Sequence, residues 1–229
     1  MSIFTNLFGS KPTKGNDSLP ITADNDIPTV VKIDYISDYN KRIEINPDDA
    51  YAYYFRAIER SKANDYLGAI EDYDQALRCN PNFIDAYYNR GVAKNKLELY
   101  RDALQDYTTA IDLKPNFVNA YNNRGITKKA IGNYGAAIED YNKAIELKPN
   151  CAEAFVNRGN SRVELKNHNA AISDYNEAIE LNPNNAEAFN NRGIAKYNLG
   201  DEDGAFLDWS KAKELGSNDA NANIKNIRR

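Results

Sequence analysis

Arginine recurs at a fixed interval in this chain, at Arg56, Arg90, Arg124, Arg158 and Arg192, and aspartate keeps the same interval at Asp38, Asp72, Asp106, Asp140, Asp174 and Asp208. A guanidinium is a permanent cation with a planar fork of donors, so a ridge of five invites anion binding. Six aspartates answer the five arginines, and the reading that uses both rows is a ladder of Arg–Asp ties across helix interfaces. Asp38 precedes the first arginine, which suggests that the Asp of one unit reaches the Arg of the next. Tyrosine and asparagine form a second candidate surface: Tyr51, Tyr54, Tyr88, Asn89, Asn122, Asn123, Asn157, Asn190 and Asn191. Carboxamides both donate and accept, so a row of them brackets the backbone of an extended peptide whatever its side chains. Clustered tyrosines anchor a partner through apolar area plus a hydroxyl.

Support for catalysis is thin. The single histidine, His168, stands where other units have Tyr66, Tyr100 and Tyr134, and packing explains it. Cys79 and Cys151 lie far apart outside any C-x-x-C arrangement and are expected to be free thiols. Neither a metal-spaced His/Cys cluster nor a glycine-rich phosphate loop is present, so no enzyme activity, metal or cofactor is expected. A formal charge of -4 argues against nucleic acid, since phosphate neutralisation needs surplus Lys and Arg. No apolar run reaches the ~18 residues of a membrane span. The N-terminus lacks a basic-then-apolar leader, and Ser2 stands where myristoylation needs glycine, so a cytoplasmic address is expected.

The elements that position these residues follow from a period of 34 residues. Five units run without a gap, 50–83, 84–117, 118–151, 152–185 and 186–219, each readable as helix A, a turn, helix B and a proline-containing connection. Helix A opens with Tyr53, Tyr87, Tyr121, Phe155 or Phe189, and four residues later comes Ala57, Gly91, Gly125, Gly159 or Gly193, small enough for helix B to approach. Helix B repeats Ala, aromatic, Ala on one face, for example Ala137, Tyr141 and Ala144, with Trp209 as the last aromatic. Pro81, Pro115, Pro149 and Pro183 end helix B, and Ser217 replaces the fifth.

This series, five times in tandem over residues 50–219, resembles the tetratricopeptide-repeat family. The resemblance implies an all-α, right-handed superhelical solenoid of antiparallel helix pairs, A helices lining the concave side and B helices the convex side. Arginine just before the small residue departs from the family, where leucine is common. The resemblance places the asparagine pairs on the concave wall, above a floor of Ile58, Val92, Ile126 and Ile194 that Asn160 interrupts. A family subset binds acidic chaperone tails through a cationic clamp, but Tyr54, Asn119, Asn123, Glu153 and Glu187 stand here instead, so only its asparagine character is kept. The implied function is a non-enzymatic scaffold holding a peptide or helix of a partner protein in the groove.

At the ends, residues 33–47 read as a lone helix B with Tyr39 and Ile43, and 220–229 as a second capping helix with Ile224, Ile227 and the Arg228–Arg229 pair. Residues 1–32 read as a flexible segment. Within it Ile3, Phe4, Leu7 and Phe8 could share one helical face, either as a membrane-surface anchor or as a self-association segment that enters a groove. Structural self-assembly and membrane-surface recruitment are therefore the alternatives to the adaptor.

Overall fold

Residues 35–227 are described by the computed structural model; the readings of residues 1–32, of Ile33 and Asp34, and of Arg228 and Arg229 lie outside them. Twelve helices and no strand occur among the described residues. A lone α1 (Tyr35–Ile45) leads in. Five pairs follow: α2 (Ala50–Lys62) with α3 (Tyr66–Cys79), α4 (Ile84–Lys96) with α5 (Tyr100–Leu113), α6 (Val118–Ala130) with α7 (Tyr134–Leu147), α8 (Ala152–Glu164) with α9 (His168–Leu181), and α10 (Ala186–Asn198) with α11 (Glu202–Glu214). A lone α12 (Asn218–Ile227) ends the series.

Short-range chemistry sets these boundaries. Asp49, Asp65, Asn133, Asn167, Asn185 and Asp201 each accept, at the start of a helix, the amide hydrogen three residues on. Asn80, Lys114, Lys148 and Asn182, each before a proline, turn extended with φ of -136° to -142°, because the proline ring excludes helical backbone from the residue ahead of it. The turn inside every pair needs one left-handed residue, and Asn64, Glu98, Gly132, Lys166 and Gly200 supply it, with φ from 59° to 83°.

Turns this short make consecutive helices antiparallel, and their spacing is fixed by the small residue of helix A. A Cβ on Gly125 would lie 2.6 Å from the Tyr141 ring, one on Gly159 2.7 Å from Tyr175, and one on Gly193 2.6 Å from Trp209. The alanines of helix B on either side of that aromatic are fully buried. Within the array each A helix also touches the A helix of the next unit, while no B helix makes a comparable contact with the next B helix. The A helices therefore form the tighter, inner wall.

Candidate functional site

Each conspicuous arginine is fully committed. Arg56, Arg90, Arg124, Arg158 and Arg192 donate through Nε and Nη2 to Asp72, Asp106, Asp140, Asp174 and Asp208 of their own pair, the Arg124 bonds measuring 3.0 and 2.7 Å. All five aspartates are buried, and a second cation one turn further along helix A, from Arg60, Lys94, Lys128, Arg162 or Lys196, meets each at 2.8 to 3.0 Å. The third guanidinium nitrogen, Nη1, reaches back to the preceding helix B, to Asn40, Asp74, Thr108, Asn142 and Asn176 in turn. The same group lies 5.3 to 5.5 Å from the ring of the aromatic three residues earlier.

The expectation that an Asp reaches the Arg of the next unit is thus corrected. The carboxylate binds within its pair, and the inter-unit tie runs from Nη1 to the residue two beyond each Asp. Asp38 keeps 64% of its side chain exposed and pairs with the neighbouring Lys41 at 3.7 Å. The Asp72 carboxylate holds the Arg56 guanidinium above its ordinary range. Burial pushes the Asp174 carboxyl up, against the pull of Arg158 and Arg162. The helix A aromatics Tyr53 and Tyr87 are half-buried, each with the guanidinium of its own helix over one ring face.

The asparagine row sits on the inner wall, but its amide hydrogens are used between units. Asn89 donates to the Tyr54 hydroxyl at 3.0 Å, Asn123 to the Tyr88 hydroxyl at 2.9 Å, and Asn157 to the Asn122 carbonyl at 3.2 Å. Each bond links one A helix to the A helix before it. Val156 stands where the next acceptor should be, and Asn191 turns to Asn160 instead, at 2.9 Å. In α12, Asn223 resumes the series by donating to Asn190 at 3.1 Å. Asn122 and Asn190 are buried; Asn122 donates to Glu153, and Asn190 donates to Asn191 while its backbone carbonyl accepts from Trp209 Nε1. The row is a ladder first. Asn89, Asn123, Asn157 and Asn191 stay half-buried and so partly open to solvent.

Tyr51 is the open member of the tyrosine group, at 56% exposure, with Phe55 beside it and Phe83 5.0 Å away centroid to centroid. Tyr54 and Tyr88 are half-buried, and burial pushes both hydroxyl groups up. Phe55 was not among the residues picked from sequence, although it occupies the asparagine position of the first pair. No A helix precedes that pair among the described residues, so an asparagine there would lack an acceptor among them, and Phe55 stacks on Tyr39 of α1 instead.

Besides a cavity of about 560 Å³ between α10 and the turn into α12, lined by Ala186, Glu187, Asn190, Asn191 and residues 215–219, two cavities open on the A-helix wall at equivalent places, where a helix A, its helix B and the next helix A meet, the second reaching back to the pair before. One, of about 290 Å³, is lined by Ile58, Ser61, Lys62, Asn89, Val92 and Lys96 with the Tyr66 and Tyr73 rings. The other, of about 470 Å³, is lined by Lys129, Asn160, Val163, Glu164, Asn191 and Ile194 with Tyr134 and Tyr175. Asn160 accepts from the Tyr175 hydroxyl at 2.8 Å, which accounts for its break in the apolar floor. The Tyr107 and Tyr141 hydroxyls and Ser61 Oγ are buried without an aligned partner among the described residues. Burial pushes the Tyr73 hydroxyl up to about 12 and those of Tyr107, Tyr141 and Tyr175 further.

No group of three His, Cys, Asp or Glu residues suited to a metal occurs among the described residues. Cys79 and Cys151 are free, and burial holds the Cys79 thiol above its usual range, so it is a poor nucleophile. His168 is half-buried at the start of α9.

Family models described as TPR repeat match residues 61–98 and 159–200, and one described as Tetratricopeptide repeat matches 84–117 and 118–151. Neither description is of a catalytic family. Two crystal structures of MamA are 25% and 26% identical to this chain, with TM-scores of 0.67 and 0.66, covering 72% and 69% of it and 91% and 93% of their own length. YrrB, described as a TPR protein with an unusual peptide-binding site, is 23% identical with a TM-score of 0.69, over 83% of this chain and 99% of its own, a likeness of fold. A comparison with curated proteins returns no match. No helix among the described residues is long and apolar enough to cross a membrane.

Proposed function

The chain belongs to the tetratricopeptide-repeat family, and we propose that it is a non-enzymatic scaffold that receives a peptide or helix of a partner protein along its A-helix wall. One observation carries the reading: two of the three cavities lie at equivalent places in the repeat, on the wall where A helices touch each other, and the third is also lined in part by an A helix, α10. A wall locked by five Arg–Asp pairs and an asparagine ladder is preformed, so a ligand loses little of its binding energy to ordering the receptor. Half-buried carboxamides offer polar contacts along the wall, and Tyr51 and Phe55 give one end an aromatic anchor. Of the tyrosines and asparagines named above, Tyr51, Asn89, Asn123, Asn157 and Asn191 are assigned to ligand contact; Tyr54, Tyr88, Asn122 and Asn190 act by holding them. A cytoplasmic address accompanies the reading, supported by two unpaired cysteines.

The test is selection of displayed random peptides on the full chain. Sequences so enriched should lose at least about tenfold in affinity when Tyr51→Ala and Phe55→Ala are introduced together, the weight of one interface anchor. They should bind unchanged when the exposed B-helix residues Leu67 and Leu207 become Ser. Binding that follows the leucines instead would sink the groove reading.

A further inference from the structure

Negative charge on the A-helix wall is gathered over its last three helices. Glu153 of α8 and Glu187 of α10 are 34 residues apart, at the same place in successive repeats. Each accepts a carboxamide hydrogen from the A helix before it, Glu153 from Asn122 at 2.9 Å and Glu187 from Asn160 at 3.3 Å. Those carboxamides are themselves held. Asn122 is buried and accepts from Asn157 at 3.2 Å; Asn160 accepts from the buried Tyr175 hydroxyl at 2.8 Å and from Asn191 at 2.9 Å. Both glutamates are thus fixed over the seam between A helices, and Oε2 of each accepts no hydrogen bond among the described residues. Glu164 lines the 470 Å³ cavity, and Glu187 and Asp219 line the 560 Å³ cavity. Burial and Asp174, then Glu187 and Glu164, push the Tyr175 hydroxyl up, so both glutamates act on the floor of the 470 Å³ cavity.

These carboxylates differ from the ladder aspartates, each of which is buried and met by two cations. None of Glu153, Glu164, Glu187 and Asp219 enters an ion pair among the described residues. Against these four stands one ammonium in the cavity linings they share, that of Lys129. Toward α2 and α4 the signs are mixed: Lys62 and Lys96 line the 290 Å³ cavity, and Asp85 acts on the Tyr54 hydroxyl. A concave wall lined by one sign of charge focuses its field outward and draws the opposite sign. We propose that the stretch from α6 to α10 docks a basic segment of the partner peptide, its lysine or arginine side chains meeting the open oxygens of Glu153 and Glu187. The proposal rests on the groove reading and gives it a ligand class. Two repeats present the same oxygen in the same setting, which suits a segment with more than one cation.

The full chain is immobilised and offered three pools of nonapeptides, acetylated and amidated so that only side chains carry charge, random among uncharged residues at seven positions and fixed at two as Lys, Gln or Glu. The Lys pool is retained about fivefold better than the Gln pool, the worth of two exposed ion pairs, and the preference shrinks as salt is added. Glu153→Gln with Glu187→Gln keeps an acceptor oxygen for each asparagine, and it removes the preference without changing retention of the Gln pool. Glu139→Gln with Glu177→Gln, the same loss of charge on the B helices α7 and α9, leaves the preference intact. Equal retention of the Lys and Gln pools, a Lys preference that survives the Glu153 and Glu187 changes, or one lost equally in both double variants overturns the basic-segment proposal while the groove reading stands. Failure to retain any pool overturns both.

Discussion

Arg124 holds three things at once: the buried Asp140 of its own pair, Thr108 of the helix before, and the face of Tyr121. Arg124→Ala strands Asp140 in the core beside Lys128 alone, and urea unfolding should show a loss of roughly 3 to 5 kcal/mol; an unchanged midpoint would show that the pair contributes nothing. That Arg and Asp pair was legible in the sequence. Which Asp each Arg takes was not, because Asp38 and Asp72 lie at similar distances in sequence on either side of Arg56, and only helix stacking chooses between them. The asparagine ladder was hidden for the same reason, although Phe55 in the first pair and Val156 opposite Asn191 were signals of it. The buried tyrosines set the alkaline limit. Tyr73 is raised from 10.0 to about 12, so the unfolded chain ionises first, and the stability this group contributes is complete below pH 10 and lost as pH rises toward 12. Tyr107, Tyr141 and Tyr175 shift in the same direction. Helix should therefore be lost as pH rises above 10, and Tyr73→Phe should flatten that slope; the same pH dependence of stability in Tyr73→Phe as in the parent chain would contradict it.

Within each pair the turn geometry is a stronger constraint than the residue filling it. Glu98 and Lys166 adopt the left-handed backbone that Gly132 and Gly200 occupy without strain. Left-handed backbone costs an L-residue roughly 1 to 2 kcal/mol, partly offset by the extra freedom glycine gains on unfolding. Glu98→Gly and Lys166→Gly should each stabilise the chain by about 0.5 to 1 kcal/mol in thermal unfolding, and a lower Tm in either would contradict this account of the turn. Gly125→Ala works the other way. Its Cβ would enter the Tyr141 ring, and overpacking of about 1 to 3 kcal/mol should exceed the gain in helix propensity. These helices were legible because their limits are local: a proline excludes helix before it, and a ring demands a small residue opposite. Exposure of Tyr51 against half-burial of Tyr54 and Tyr88 was not legible, since it depends on which helix lies alongside.

At the scale of the array, the two lone helices depart from the repeat pattern. In α12 Ser217 caps Ala220, two residues beyond Leu215, whereas in the unit before, Asn185 caps Ala188 from four residues beyond Leu181. That shift puts Asn223 at the ladder position, Ile224 where each pair has Arg, and Lys225 where helix A must be small. A further helix B could not seat its aromatic on Lys225. In α1, Tyr35 and Arg42 replace the two fully buried alanines that flank the aromatic of every other helix B. End-to-end stacking in the geometry of the repeat is blocked on both sides, so the fragment 33–229 should show a concentration-independent monomer mass. The central claim is that ligand lies on the A helices. Its most direct test is backbone amide shift mapping on the isotope-labelled chain with a peptide obtained by selection: the account predicts perturbations confined to α2, α4, α6, α8 and α10, and perturbations centred on α3, α5, α7, α9 and α11 would contradict it.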